Sequence, residues 1–424
     1  MENYPVTPVA HSLHATICVP GSKSLTNRAL LVAALADGQT RLTNALFSDD
    51  SRYFAQALQT LGFQLQVAPE KSEISIQGLS GRIPAQMAEL FIGNAGTAAR
   101  FLSAFLTLGN GEFILDGDER MRQRPIGDLV SALRQLGAQL EASASECPPV
   151  KISASGLPGG KTTISGKISS QFLSALLMVA PYAKSPMEIN VSTDLNSKPY
   201  VDMTLAVMAD FGLEIAREGY ERFVINAGVY HAPQIYPIEP DASAASYFFA
   251  APAILGGSVR IENITRRSRQ GDIAFVDVLA SMGCTIAEGG DFIEVSGPAS
   301  LNGVDVDMRD IPDTAQTLAA IAPFATSPTR IRGIASARVK ETDRVHATCV
   351  ELMCLGVQVD EHEDGMTIYP CRQLRPATIR TYNDHRMAMA FALPGLRSAG
   401  VRIENPGCVS KTFPNYFTVL ESLR

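Results

Sequence analysis

Basic, acidic and hydroxyl side chains gather at the openings of apolar segments along this sequence, where a helix leaves backbone N–H groups without carbonyl partners. PGSKSLTNR (20–28) sets Lys23, Ser24 and Arg28 around such an opening. Helix-mouth N–H groups favour an anion, and the two cations strengthen the attraction. GNAGTAAR (93–100) repeats the design: small residues such as Gly96 let backbone approach a ligand, and Arg100 lies in a segment otherwise apolar. An arginine so placed is costly unless it is paired or serves a ligand. RMRQRP (120–125) holds Arg124 against a rigid proline, and SSQ (169–171) offers Ser169, Ser170 and Gln171 at a third opening. One serine suffices as a cap; the three polar groups together suit recognition of hydroxyl or phosphate. SKPY (197–200), with Ser197, reads by itself as a turn.

The second half carries carboxylates among its cations. DIPDTAQT (310–317) puts Asp313 at a helix mouth, as a cap or as a general base. VKETDR (339–344) packs Lys340, Glu341 and Arg344 into about one turn. Four residues apart, Lys340 and Arg344 are expected to share a helix face, so their repulsion calls for an anion between them. YNDHRMAMA (382–390) places His385 and Arg386 at another opening, and SKTFP (410–414) supplies Lys411. SGLPGGKTT (155–163) imitates a Walker loop, but Ser155 stands where its first glycine is required, and TTISGKISS reads as strand and turn instead of helix. The six histidines lack metal-ligand spacing, so neither a metal site nor a cofactor is expected.

These openings recur. They lie at SKSLTNRALL (22–31), NAGTAARFLS (94–103), SSQFLSALLM (169–178), DASAASYFFA (241–250), DTAQTLAAIA (313–322) and NDHRMAMAFA (383–392). Five of the segments lead on to an amphipathic run closed by a bulky residue and a glycine: Gly62, Gly137, Gly212, Gly283 and Gly356, at spacings of 75, 75, 71 and 73. Such periodicity marks a repeat architecture. Each unit reads as strand, helix, strand, helix and a hairpin-like pair of strands. The helix after each opening is apolar nearly all round and must be buried, while the second carries an apolar stripe for packing on a sheet. In the first unit Asp49 and Asp50 stand where N-caps belong, and the first helix is expected to run to Gly38. The stretch 231–241, with three prolines, suits a hinge between units three and four. The opening at 241 suggests no role.

A chain of 424 residues suits two domains. With 46% hydrophobic and 19% charged residues it is ordinary globular material, and its net charge of −7 argues against nucleic-acid binding. Seven scattered cysteines without a CxxC pair read as reduced thiols, and no signal peptide or membrane span is apparent. A cytoplasmic monomer is expected.

GSKSLTNR, GNAGTAAR, RPIG, SSQF, SKPY, IPD, VKETDR, YNDHR and KTFP, in that order along the whole chain, closely resemble the 5-enolpyruvylshikimate-3-phosphate (EPSP) synthase family. The resemblance implies an α/β fold of two similar domains, each of three βαβαββ units around buried helices, an inside-out α/β barrel. It places residues 21–236 in one domain and 1–20 with 237–424 in the other, with the active site in the cleft between them. It implies transfer of the enolpyruvyl group of phosphoenolpyruvate to the 5-hydroxyl of shikimate 3-phosphate, on the path to chorismate and the aromatic amino acids. By the same resemblance Lys23, Ser24, Arg28, Ser169, Ser170, Gln171, Ser197, Asp313, Ser336 and Lys340 hold shikimate 3-phosphate. Lys23, Gly96, Arg124, Gln171, Arg344, Arg386 and Lys411 hold phosphoenolpyruvate, and Asp313, Glu341, Lys23 and Lys411 handle protons. The residue types suit two substrates that each carry a phosphate and a carboxylate, since arginine matches both bidentately.

Two positions depart from the family pattern. Ser336 stands where asparagine is usual, so one substrate hydrogen bond is expected to be altered or water-mediated. Phe101 follows Arg100 where the best-known bacterial and plant members have proline, although GNAGTA itself resembles the glyphosate-sensitive class. Three rival readings are an enolpyruvyl transferase acting on UDP-N-acetylglucosamine, an RNA 3′-phosphate cyclase and a non-catalytic phosphosugar-binding protein. The first typically carries a reactive cysteine before the arginine–proline step, and residues 109–125 have none. Acidic balance disfavours the second, and the paired carboxylates beside cations disfavour the third.

Overall fold

The five repeated glycines each sit two residues past the last helical residue, in the left-handed region, with φ between +83° and +104°. The N–H one residue further reaches back five positions, as in Phe63 to Leu58 and Cys284 to Leu279, both 3.0 Å. This is the Schellman closure, and glycine is favoured there because a side chain is strained at positive φ. The helices so closed are the second of each unit in a computed structural model that describes residues 2–424.

Contacts divide the chain into two compact units. One is continuous, Gly21–Ile238, and the other joins the chain through Pro20 to Glu239–Arg424. The continuous unit holds α1 (Lys23–Leu35), α2 (Asp49–Thr60), α3 (Gly96–Leu106), α4 (Gly127–Gln135), α5 (Ser170–Val179) and α6 (Lys198–Asp210). The discontinuous unit holds α7 (Ala242–Leu255), α8 (Phe275–Ser281), α9 (Ala315–Ile321), α10 (Arg344–Cys354), α11 (His385–Arg397) and α12 (Tyr416–Glu421).

Within each unit the first helices are the core. Every residue of α3 and α9 is buried, and α1, α5, α7 and α11 nearly so. Helices α1, α3 and α5 pack on one another in the first unit, as α7, α9 and α11 do in the second. A helix apolar on all sides can lose its whole surface to neighbours, which is what the composition of these segments requires. The β-structure repeats with them. Met87–Phe91 runs parallel to Asn110–Asp116 through the crossover α3, and Val150–Ser155 and Gln139–Glu141 then add antiparallel. Parallel neighbours need such a crossover, whereas the antiparallel pair forms a simple hairpin. The Walker-like segment falls in this all-strand part, with Gly160–Ile164 a strand.

The terminal strands depart from a simple serial repeat. Leu13–Ile17 pairs in parallel with Gly257–Glu262, inside the discontinuous unit. The sheet of Asp37–Thr43 is completed instead by Ile235–Pro237. The proline-rich stretch is therefore strand as well as connector, and its proline is tolerated at a sheet edge where no ladder donor is needed. Two local expectations are also corrected. Helix α1 stops at Leu35, because the chain at Asp37 and Gly38 already pairs with Leu79 and Gly78. Ser48, not an aspartate, caps α2, exchanging hydrogen bonds with Ser51, and Asp49 and Asp50 occupy the first turn, where they complement the helix dipole.

Candidate active site

In the continuous unit the predicted residues lie at four helix mouths. Ser22 caps α1 by accepting from the Leu25 N–H, so Lys23 is the first helical residue, and its Nζ lies 3.6 Å from Asp50 Oδ2. Lys23 and Ser24 are half-buried, while Arg28, one turn deeper, is only 1% exposed. Burial lowers the Arg28 pKa to about 10. Ser169 caps α5 through the Gln171 N–H at 3.2 Å, which leaves buried Ser170 and half-buried Gln171 in the opening turn. Ser197, read as an ordinary turn, is the N-cap of α6 in the left-handed conformation, with φ of +59°. A serine is strained there, and strain of this kind clusters at ligand sites.

Gly96 and Arg124 meet closely. Arg124 Nη1 donates to the carbonyl and side-chain oxygens of Asn94 at 3.0 and 2.9 Å. A methyl group on Gly96 would lie 2.4 Å from Arg124 Nη2, so the glycine makes room for the guanidinium. Arg100 binds backbone, donating to the carbonyls of Gly96 and Pro125 at 3.1 and 2.9 Å. Phe101 is fully buried, its ring centroid 5.3 Å from the Arg28 guanidinium carbon. A proline in its place could not offer that cation–π face.

The discontinuous unit concentrates charge. One Asp313 oxygen receives Lys340 Nζ and Arg344 Nη1, each at 3.2 Å, and the other receives Arg386 Nη2 at 2.7 Å. Arg344 Nη2 also donates to Glu341 at 2.8 Å, and Lys411 Nζ lies 3.9 Å from that carboxylate. Arg344 is nearly inaccessible. Burial pulls its pKa down, but Asp384, Glu341 and Asp313 more than offset this and hold it above the usual value. Ser336 is buried in the short turn Ala335–Val339.

Lys340 and Arg344 do not share a helix face. Asp343 caps α10 by accepting from the His346 N–H at 3.0 Å, so the helix begins at Arg344 and Lys340 lies before it. The anion their proximity demands is Asp313.

The chain has relatives that match it along nearly its whole length. The profile of the family described as EPSP synthase (3-phosphoshikimate 1-carboxyvinyltransferase) matches residues 9–420. The chain belongs to the EPSP synthase family. It is 50% identical over 419 residues to the 3-phosphoshikimate 1-carboxyvinyltransferase of Trichormus variabilis, covering 99% of this chain and 98% of that one. A relative of the same name from Sulfurovum is 49% identical over 426 residues, covering 100% and 99% of the two chains. Among solved structures, an EPSP synthase from Acinetobacter baumannii superposes with a TM-score of 0.83 at 25% identity, covering 100% of this chain and 98% of that one. The fold is therefore the two-domain enolpyruvyl transferase fold of α/β class.

Three partners of the predicted site residues, two in this cluster and one in the continuous unit, are not among the expected site residues. Asp384, fully buried, accepts from Arg344 Nε at 2.7 Å and from the Arg386 N–H at 2.9 Å, joining two predicted arginines. Its place at a helix opening was the available signal. Tyr247, buried in α7, lies 3.4 Å from Arg386 Nη1, which gives the opening at 241 a connection to the cluster. Asp50 meets Lys23. Among the described residues no helix is long and apolar enough to cross a membrane, and no group of three or more potential metal ligands occurs.

Proposed function

We propose that this protein transfers the enolpyruvyl group of phosphoenolpyruvate to the 5-hydroxyl of shikimate 3-phosphate, giving 5-enolpyruvylshikimate 3-phosphate and phosphate. The observation that carries the reading is Asp313 in contact with Lys340, Arg344 and Arg386, in a chain belonging to the EPSP synthase family. A carboxylate beside several cations can manage a proton while its neighbours neutralise phosphate and carboxylate groups.

In the addition step the 5-hydroxyl oxygen bonds to C2 of phosphoenolpyruvate, loses its proton to a base, and the methylene carbon gains one. In the elimination step the methyl carbon gives up a proton, the double bond re-forms and phosphate leaves. Asp313 and Glu341, assisted by Lys23 or Lys411, serve these transfers. Lys23, Ser24, Arg28, Ser169, Ser170, Gln171, Ser197, Asp313, Ser336 and Lys340 bind shikimate 3-phosphate. Gly96, Arg124, Arg344, Arg386 and Lys411, with Lys23 and Gln171, bind phosphoenolpyruvate. The protein works as a cytoplasmic monomer on small anions, without a nucleic-acid partner; its net charge of −7 supports the last point.

The test offers phosphoenolpyruvate with either shikimate 3-phosphate or UDP-N-acetylglucosamine and measures phosphate release. Release with shikimate 3-phosphate alone is expected. Release only with the sugar nucleotide overturns the assignment.

A further inference from the structure

Arg28 is a buried cation that no carboxylate pairs with among the described residues. Neutral groups hold it instead. Its Nε donates to Thr204 Oγ1 at 2.7 Å, and its Nη2 donates to the Tyr200 carbonyl at 3.1 Å and to Ser174 Oγ at 3.4 Å. The Thr204 hydroxyl lies 2.8 Å from Ser174 Oγ and 2.9 Å from the Tyr200 carbonyl. A hydroxyl has one proton and two lone pairs, so Thr204 can accept from Arg28 while donating to one of these oxygens. Three helices, α1, α5 and α6, thus meet on one guanidinium.

These bonds differ in depth. The three on the Nε and Nη2 edge are wholly buried, whereas the bond from Nη1 to the Ser24 carbonyl, 3.0 Å, is only partly so. Nη1 is therefore the corner turned toward the mouth of α1, and it has a second proton. We propose that Thr204, supported by Ser174, is a positioning residue that locks the inner edge of Arg28 so that Nη1 is presented beside Ser24 to an anionic group of shikimate 3-phosphate. The proposal rests on the functional reading above. The ligand's negative charge is what the buried guanidinium otherwise lacks.

The full-length protein and Thr204→Val, which keeps the shape and removes the hydroxyl, are titrated with shikimate 3-phosphate by calorimetry and assayed for phosphate release. Losing one hydrogen bond to a charged group is expected to weaken shikimate 3-phosphate binding by roughly tenfold. The KM for phosphoenolpyruvate is expected to stay within about twofold, and Thr204→Ser to restore binding, since neither loses the outer phosphoenolpyruvate contacts. Should Thr204→Val fail to fold, Ser174→Ala removes the supporting link together with the longer Nη2 bond and is expected to weaken binding by about threefold. Unchanged affinity in the variant that folds overturns the proposal. So does an equal loss for both substrates that Thr204→Ser does not repair, the mark of a packing role. Wild-type protein that neither binds shikimate 3-phosphate nor releases phosphate with it overturns the functional reading itself, a result separable from the other two.

Discussion

Oδ2 of Asp313 lies 2.7 Å from Nη2 of Arg386, which joins the 3₁₀ turn before α9 to the opening of α11 through a charged contact. Lys340 and Arg344 share the other oxygen of that carboxylate. Three of the cations proposed to meet the substrates' anionic groups are thus already organised around the proposed base. Asp313→Ala is expected to cut turnover by roughly two to four orders of magnitude, the usual scale for a general acid or base. The KM for phosphoenolpyruvate should not rise, because the cations remain. Steady-state phosphate release checks both, and near-normal turnover would remove Asp313 from the mechanism.

Asp384 does a different job. It holds Arg344 Nε, caps α11 and is wholly buried. Asp384→Ala breaks a buried pair and a cap together, so a loss of about 3 kcal/mol or more in unfolding free energy is expected. Urea denaturation measures it. A change below about 1 kcal/mol would mean that Glu341 and Asp313 satisfy Arg344 unaided.

Gly96 tests how finely Arg124 is placed. A methyl group there would stand 2.4 Å from Arg124 Nη2, while Asn94 holds Nη1 of the same guanidinium. In Gly96→Ala the guanidinium must shift, and the KM for phosphoenolpyruvate is expected to rise by about one to two orders of magnitude. Shikimate 3-phosphate binding, followed by calorimetry, should change far less.

The closing glycines allow strain to be separated from crowding. At Gly283 an added methyl meets nothing nearer than 3.5 Å, yet φ is +104°. At Gly62 φ is +93° and the methyl would meet Pro84 Cβ at 2.8 Å. Gly283→Ala should cost about 1–2 kcal/mol from backbone conformation alone, and Gly62→Ala more. Thermal unfolding of the two variants orders them, and equal costs would show that Pro84 yields freely.

Much of this was legible in the sequence because the repeat is physical. Six segments apolar on every side had to be buried helices, and five bulky-residue–glycine pairs had to be helix ends. What escaped were features that depend on which carboxylate reaches which cation. Lys340 and Arg344 have helical spacing, but the Asp343 cap starts the helix after Lys340, and no periodicity reports that. Tyr247 sits in an unbroken apolar run and looks like core until its hydroxyl is seen near Arg386. Thr204 looks like an ordinary interior residue of an amphipathic helix, since its partner Arg28 lies 176 positions away in sequence.

The pairing of Leu13–Ile17 with Gly257–Glu262 has a consequence for how the chain is made. The continuous unit contains every strand of its own three sheets, so it can complete itself as soon as Ile238 has left the ribosome. The strand at Leu13, synthesised earlier, has no lasting partner until Gly257 arrives. One half of the molecule is in effect an insertion spliced into the other. Vectorial synthesis should therefore leave an unpaired amino-terminal strand waiting beside a finished neighbour, and loop-closure entropy makes its docking a late event.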